Sequence, residues 1–201
     1  MSARSSSPTD RAKHHSPSRE AKEKTPIVGI GASAGGLEPI KRLLSELPVG
    51  SGLAYVVIQH LDPAGKSALP ELLSKHTQMT VASAADGTVV LPNHVYIIPP
   101  GVYLSIEAGT LRLTSTEGKS AVLPIDVFLN SLARDCGRHG IGIILSGSGT
   151  DGGDGLRALR DAGGLAVVQD PHEATHNSMP EHAVRVARPD FVLPVSEMPV
   201  A

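Results

Sequence analysis

The chain has 201 residues, with 18 Lys and Arg against 20 Asp and Glu; at a net charge of −2 it has no global basic field to draw in nucleic acid. With two Phe, three Tyr and no Trp, platforms on which bases or sugars could stack are scarce, and aliphatic residues must fill the core. The single cysteine, Cys136, excludes an intramolecular disulfide and fits a reducing cytoplasm, and the polar start of the chain has neither a signal segment nor, anywhere after it, the ~18 apolar residues of a membrane span.

Residues 1–24 are rich in Ser, Lys, Arg, His and Pro and nearly free of large apolar side chains. They cannot bury enough surface to offset the entropy of ordering, so a disordered polar tail is expected, with His14 and His15 solvated in it. Residues 25–201 are expected to form a single domain large enough for a substantial core. It begins with the apolar run Ile27-Val28-Gly29-Ile30, which reads as a buried strand. The run enters Gly31-Ala32-Ser33-Ala34-Gly35-Gly36, after which Leu37, Ile40, Leu43, Leu44 and Leu47 share one face of a helix. A G-x-S-x-G pattern between strand and helix holds a nucleophilic serine at the tip of a tight turn. The helix N-terminus behind it offers N–H groups to a developing negative charge. In the same residues, Gly29-x-Gly31-x-x-Ala34 fits a dinucleotide fingerprint, which requires an acidic residue at the tip of the second strand. That strand, residues 53–58, ends in Gln59-His60 with Asp62 beyond it, which disfavours the nucleotide reading.

Leu69, Leu72 and Leu73 place a helix over residues 67–75. Residues 81–113 carry short β-rich runs: Val89-Val90-Leu91, Val95-Tyr96-Ile97-Ile98, residues 102–106 and residues 110–114. Glu107-Ala108-Gly109 joins the last two as a hairpin. Residues 118–123 read as a loop. Residues 124–139 read as a helix, with Pro124 in its first turn and Val127, Phe128, Leu129, Leu132 and Ala133 as its apolar face. A buried strand over 140–145 precedes the glycine-rich segment 146–155. A helix then runs to Ala162, Gly163-Gly164 ends it, and residues 165–169 form a further strand. Alternating strands and helices argue for a doubly wound, mostly parallel α/β sheet with helices on both faces and an inserted antiparallel β-hairpin.

In such sheets ligands bind beyond the C-terminal ends of the strands. There the first strand delivers Ser33, the second Gln59 and His60, and the strand over 140–145 delivers Ser146-Gly147-Ser148-Gly149-Thr150-Asp151. A serine hydroxyl needs a base, and imidazole can take and return a proton near neutrality. A carboxylate behind the imidazole fixes its tautomer. Asp151 can also serve as N-cap of the helix that follows it. Asp62, Asp126 and Asp154 are alternative third members, Asp126 sitting in a helical first turn where a structural role is favoured. Ser146 and Ser148 suit a tight glycine turn. Further on, His172-Glu173-Ala174-Thr175-His176 matches H-E-x-x-H, with His182 six residues after His176. That zinc motif works only on a helix; Pro171 and Pro180 bracket it, and Met179 replaces the required glycine, so a histidine-rich surface loop is expected.

Several of these blocks together resemble the catalytic domain of the CheB-type chemotaxis receptor methylesterases. They are residues 29–36, Gln59-His60, residues 91–101 (Leu-Pro-Asn-His-Val-Tyr-Ile-Ile-Pro-Pro-Gly), residues 145–152 and Ser178-Met179-Pro180. The details at 60–63, 69–73 and 123–126 look most like the esterase module of methylesterase–methyltransferase fusions. The resemblance implies hydrolysis of glutamate γ-methyl esters on the cytoplasmic domains of methyl-accepting chemotaxis receptors, with deamidation of receptor glutamines in some members. It implies Ser33 as nucleophile, His60 as base and Asp151 as orienting partner, with no metal or organic cofactor. Backbone N–H groups near His60 and Ser148 would receive the oxyanion, and Ala34, Gln59, Ser148 and Met179 would position substrate. A cytoplasmic location, no nucleic acid and no membrane insertion go with it. Typical members carry a receiver domain that residues 1–24 are too short to form, so control by phosphorylation in cis is not expected, nor a methyltransferase segment after Ala201. Ala34 replaces a threonine and Ser148 a methionine common in the family, changes expected to alter substrate placement while leaving the triad. A catalytically silent signalling or binding module on the same fold is the alternative from another class.

Overall fold

The computed structural model describes residues 25–60, 67–118 and 123–200; the expected tail over 1–24, Asp62, and residues 119–122 of the expected loop lie outside these. The first strand, β1 (Ile27–Ala32), is buried along its whole length, and the helix α1 (Leu37–Glu46) follows the serine turn. Then come β2 (Ala54–Gln59) and a short helix α2 (Leu69–Leu73) that tightens into a 3-10 turn at Ser74–His76. The parallel strands β3 (Thr80–Ser83) and β4 (His94–Ile97) precede the expected hairpin, β5 (Val102–Glu107) and β6 (Thr110–Ser115). Helix α3 (Pro124–Cys136), β7 (Gly140–Ile144), α4 (Gly153–Asp161), β8 (Leu165–Gln169), α5 (Ser178–Ala187) and β9 (Phe191–Leu193) complete the order.

Seven strands form one parallel sheet in the order β3-β4-β2-β1-β7-β8-β9, and β5–β6 form a separate two-stranded antiparallel sheet. The chain leaves β1 toward β2 and β4, then returns to build β7, β8 and β9 on its other side. The switch point therefore lies between β1 and β7, where a crevice opens beyond the strand ends. One sheet face, with Val28, Ile30, Tyr55 and Val57, is covered by Ile40, Leu43 and Leu44 of α1 and by Leu69 and Leu73 of α2. The other, with Val56, Ile58, Ile144 and Val168, is covered by α3, α4 and α5 and by Leu104, Ile106 and Leu111 of the hairpin. Strands buried on both faces read as continuous apolar runs, which is why β1, β2, β7 and β8 were legible in the sequence.

Several elements differ from the sequence expectation. Val89-Val90-Leu91 is not a strand; it contributes one isolated bridge, Val89 to Thr110. The helix expected over 124–139 ends at Cys136, where Gly137 adopts φ 51° and the last residues tighten into a 3-10 turn. The edge strands β3 and β9 carry no long apolar run; they are short and partly exposed. The loop expected around the H-E-x-x-H motif gives way at Ser178 to α5, with Pro180 buried in the first turn, where a missing N–H costs nothing. Among the described residues no helix is long and apolar enough to cross a membrane.

Candidate active site

The turn after β1 is set by close approach. A Cβ at Gly36 would stand 2.6 Å from Ala32 Cβ and 2.9 Å from the Ser33 carbonyl oxygen, so only glycine lets the chain fold back under Ser33. The left-handed φ falls on Gly35, at 69°, and Ser33 itself is not in that region, so the turn matches the G-x-S-x-G spacing without straining the serine. Gly29 and Gly31, the glycines of the dinucleotide pattern, lie inside β1 rather than at the turn. They make room for α3: a Cβ on Gly31 would meet Ile125 Cγ2 at 2.4 Å, and one on Gly29 would meet the Phe128 ring at 2.9 Å.

Three strand ends then converge. Ser33 Oγ lies 3.0 Å from His60 Nδ1, and His60 Nε2 lies 2.8 Å from Asp151 Oδ2. Asp151 is 1 % exposed and surrounded by donors: the Ile125 N–H donates to Oδ2 at 3.0 Å and the Asp126 N–H to Oδ1 at 2.9 Å. These are free N–H groups of the first turn of α3, whose own N-cap residue, Leu123, supplies no side-chain cap. The positive end of α3 thus faces the buried carboxylate with two N–H donors. An acceptor-only carboxylate facing Nε2 requires the imidazole proton there, which leaves Nδ1 with a lone pair toward Ser33. Its place in the sequence suits Asp151 to the N-cap of the helix after it. It caps α3 instead, because Gly152 in the left-handed region (φ 88°) turns the chain between Asp151 and α4.

Asp126 performs the reverse service. Its Oδ1 accepts the Gly155 N–H at 2.6 Å, in the first turn of α4, which likewise lacks a local side-chain cap. Burial pushes its carboxyl up from 3.8 to about 6, with Asp151 and Asp154 adding to the rise and the Gly155 N–H opposing it. Asp154 is exposed and pairs with Arg157 at 2.9 Å, while the carboxylate at His60 is that of Asp151.

The other predicted positions sort as follows. The Ser33 N–H donates to the Ser146 carbonyl at 3.1 Å and the His60 N–H to the Ala32 carbonyl at 3.3 Å, so both are spent inside the protein. The N–H groups of Ala34 and Ser148, both exposed, have no protein acceptor among the described residues. Gln59 is half-buried beside His60, with its Oε1 buried and without a hydrogen-bond partner among the described residues. Met179 is fully buried, its thioether packed against Gly147 and near Ser33. Ser146, read from sequence as a turn residue, is the organiser of the loop. Its hydroxyl lies 3.0 Å from the Ala34 carbonyl and accepts the His176 N–H at 3.0 Å, and its own N–H donates to Gln169 Oε1 at 2.8 Å. Its zero exposure comes from tertiary contacts; a polar Gln169 closing the buried run of β8 was the available hint.

The H-E-x-x-H residues lie on turns rather than a helix. Glu173 accepts from Gln169 Nε2 at 3.1 Å and from the Val195 N–H at 2.9 Å, and pairs with Arg42 at 3.1 Å. Among the described residues no three His, Cys, Asp or Glu side chains are grouped to hold a metal ion.

The family model for CheB methylesterase matches residues 28–201. This chain belongs to the CheB methylesterase family. It is 32% identical over 177 residues to a protein-glutamate methylesterase/protein-glutamine glutaminase of Photorhabdus laumondii, covering 86% of this chain and 50% of that protein. A protein of Pseudomonas aeruginosa with the same description, numbered 2, is 33% identical over 180 residues, covering 87% and 51%. The chain therefore spans about half the length of the curated relatives it matches. The crystal structure of the Thermotoga maritima CheB methylesterase catalytic domain superposes with a TM-score of 0.80 at 29% identity, covering 87% of this chain and 95% of that one.

Proposed function

We propose that this chain is a serine hydrolase that demethylates glutamate γ-methyl esters on the cytoplasmic domains of methyl-accepting chemotaxis receptors, releasing methanol in the cytoplasm. The observation that carries the reading is the unbroken hydrogen-bond chain Ser33–His60–Asp151 at the switch point of a CheB-family sheet. His60 Nδ1 takes the Ser33 proton as Oγ attacks the γ-carbonyl carbon. The Ala34 N–H, ahead of α1 and without an acceptor among the described residues, is available to the developing oxyanion, with the Ser148 N–H as second donor. His60 returns the proton to the departing methoxide oxygen, methanol leaves, and Ser33 carries the glutamyl acyl group. Water, deprotonated by His60, then attacks the acyl carbon; Ser33 Oγ departs and recovers its proton. A receptor glutamine entering the same path loses ammonia in place of methanol, the second activity in the relatives' names. Asp151 holds the imidazolium by its Nε2–H through both steps.

The test is methanol release from methylated receptor membranes by the purified protein and by Ser33→Ala. Loss of about 10⁴-fold or more is expected in the variant. A variant that releases methanol at the parent rate overturns the assignment, as does failure of Ser33 to take a fluorophosphonate label.

A further inference from the structure

We propose that Asp126 is a positioning residue for the His60–Asp151 pair: by capping α4 while Asp151 caps α3, it locks the loop that carries Asp151 in register with the imidazole. The inference rests on the reading of Asp151 as the partner of His60. Nothing in the reaction itself calls for a second carboxylate here, and a buried one is costly. Yet Asp126 is only 9% exposed, and its carboxylate is turned to the start of α4, accepting the Gly155 N–H at 2.6 Å with the Gly152 N–H beside it.

The two helix starts are nested. A Cβ on Gly155 would stand 2.9 Å from Asp126 Cα and 2.8 Å from Leu129 Cβ, so α4 begins directly against the first turn of α3. Across this contact the caps are exchanged. Asp151, two residues before α4, accepts from Ile125 and Asp126 of α3; Asp126, inside α3, accepts from Gly155 of α4. Neither helix has a side-chain cap of its own. The segment between Asp151 and Gly155 is glycine-rich, Gly152-Gly153-Asp154, and resists displacement little by itself. Releasing the Gly155 end frees α4 to shift on α3, and the His60 Nε2 to Asp151 Oδ2 contact is the part of the site with least tolerance for that shift. The role needs an acceptor oxygen and not a charge, which makes Asn the discriminating substitution.

The experiment uses the full chain as wild type, D126N and D126A. Two readouts are taken: the low-field proton resonance of His60 Nε2–H, and kcat and KM for a small activated ester. D126N is expected to keep the resonance and hold kcat within about threefold, because its carbonyl oxygen still accepts from Gly155. D126A is expected to lose the resonance and drop kcat on the order of 10²-fold at unchanged KM, the scale of an ångström of misplacement. A resonance and kcat unchanged in D126A overturn the proposal. So does equal loss in D126N and D126A, because that would assign the effect to charge. If D126A does not fold, D126L, which keeps the volume without the acceptor, is read by the same criteria. The resonance does not depend on turnover, so a protein without esterase activity would count against the hydrolase reading while the resonance still decides this one.

Discussion

Replacing Asp151 by Asn tests the dual role of that carboxylate, because it removes one acceptor oxygen and a charge while keeping the shape. In the parent, Oδ2 accepts from His60 Nε2 and the Ile125 N–H, and Oδ1 from the Asp126 N–H, at 2.8, 3.0 and 2.9 Å. Asn has one acceptor oxygen and one NH2 for these three donors. If its oxygen takes the Oδ2 place, the NH2 confronts the Asp126 N–H and a buried donor is stranded, at about 1–3 kcal/mol. If it takes the Oδ1 place, the NH2 faces His60 and drives the ring to the other tautomer, with the proton on Nδ1. Nδ1 then cannot accept from Ser33, and kcat should fall by about 10⁴-fold, the loss that the wrong tautomer brings in a serine protease triad. Either way the charge at the start of α3 is lost, costing roughly another 0.3–2 kcal/mol. A combined loss of roughly 1–5 kcal/mol lowers Tm by about 3–20 °C for a domain of this size. Calorimetry beside steady-state ester hydrolysis reads both effects. A variant with the parent's Tm and rate refutes the geometry; a variant slow but equally stable refutes the capping half alone.

Ser33→Ala, by contrast, should abolish ester hydrolysis and leave Tm within about 1 °C, since it removes one half-buried hydroxyl from a surface turn. Asp126 should make stability depend on pH: its folded-state pKa of about 6 lies above the ordinary 3.8, so the folded form binds the extra proton and stability falls as pH rises through 6. Between pH 5 and 7 the loss is roughly 1 kcal/mol, and urea midpoints of wild type and D126N should converge or cross accordingly, the wild type alone carrying this slope. Gly31→Ala should place a methyl 2.4 Å from Ile125 Cγ2 and push on the first turn of α3, where Asp151 is held. Roughly 1–3 kcal/mol of stability should be lost together with esterase rate, and an unaffected rate would show that the α3 start does not position Asp151.

The strand–serine–helix unit, the strands over 53–58, 140–145 and 165–169, the hairpin and the three residues at the strand ends could all be read from local pattern. Continuous apolar runs mark strands buried on both faces, and the parallel sheet places their C-terminal ends on one edge, so Ser33, His60 and Asp151 follow from the order of elements. What pattern could not supply depends on partners distant in sequence. The edge strands β3 and β9 exist because β4 and β8 offer free backbone groups, not because Thr80–Ser83 or Phe191–Leu193 are strongly patterned. Asp151 looked like the cap of its own helix, since a cap is ordinarily local; only the packing of α3 on α4 sends each carboxylate to the other helix. Burial likewise turned Ser146 from a turn residue into the anchor of the nucleophile's N–H, and Met179 into a support beneath Gly147. Residue type and spacing determined which groups are present and on which edge; the hydrogen-bond direction at each was decided by which helix start came within 3 Å of it.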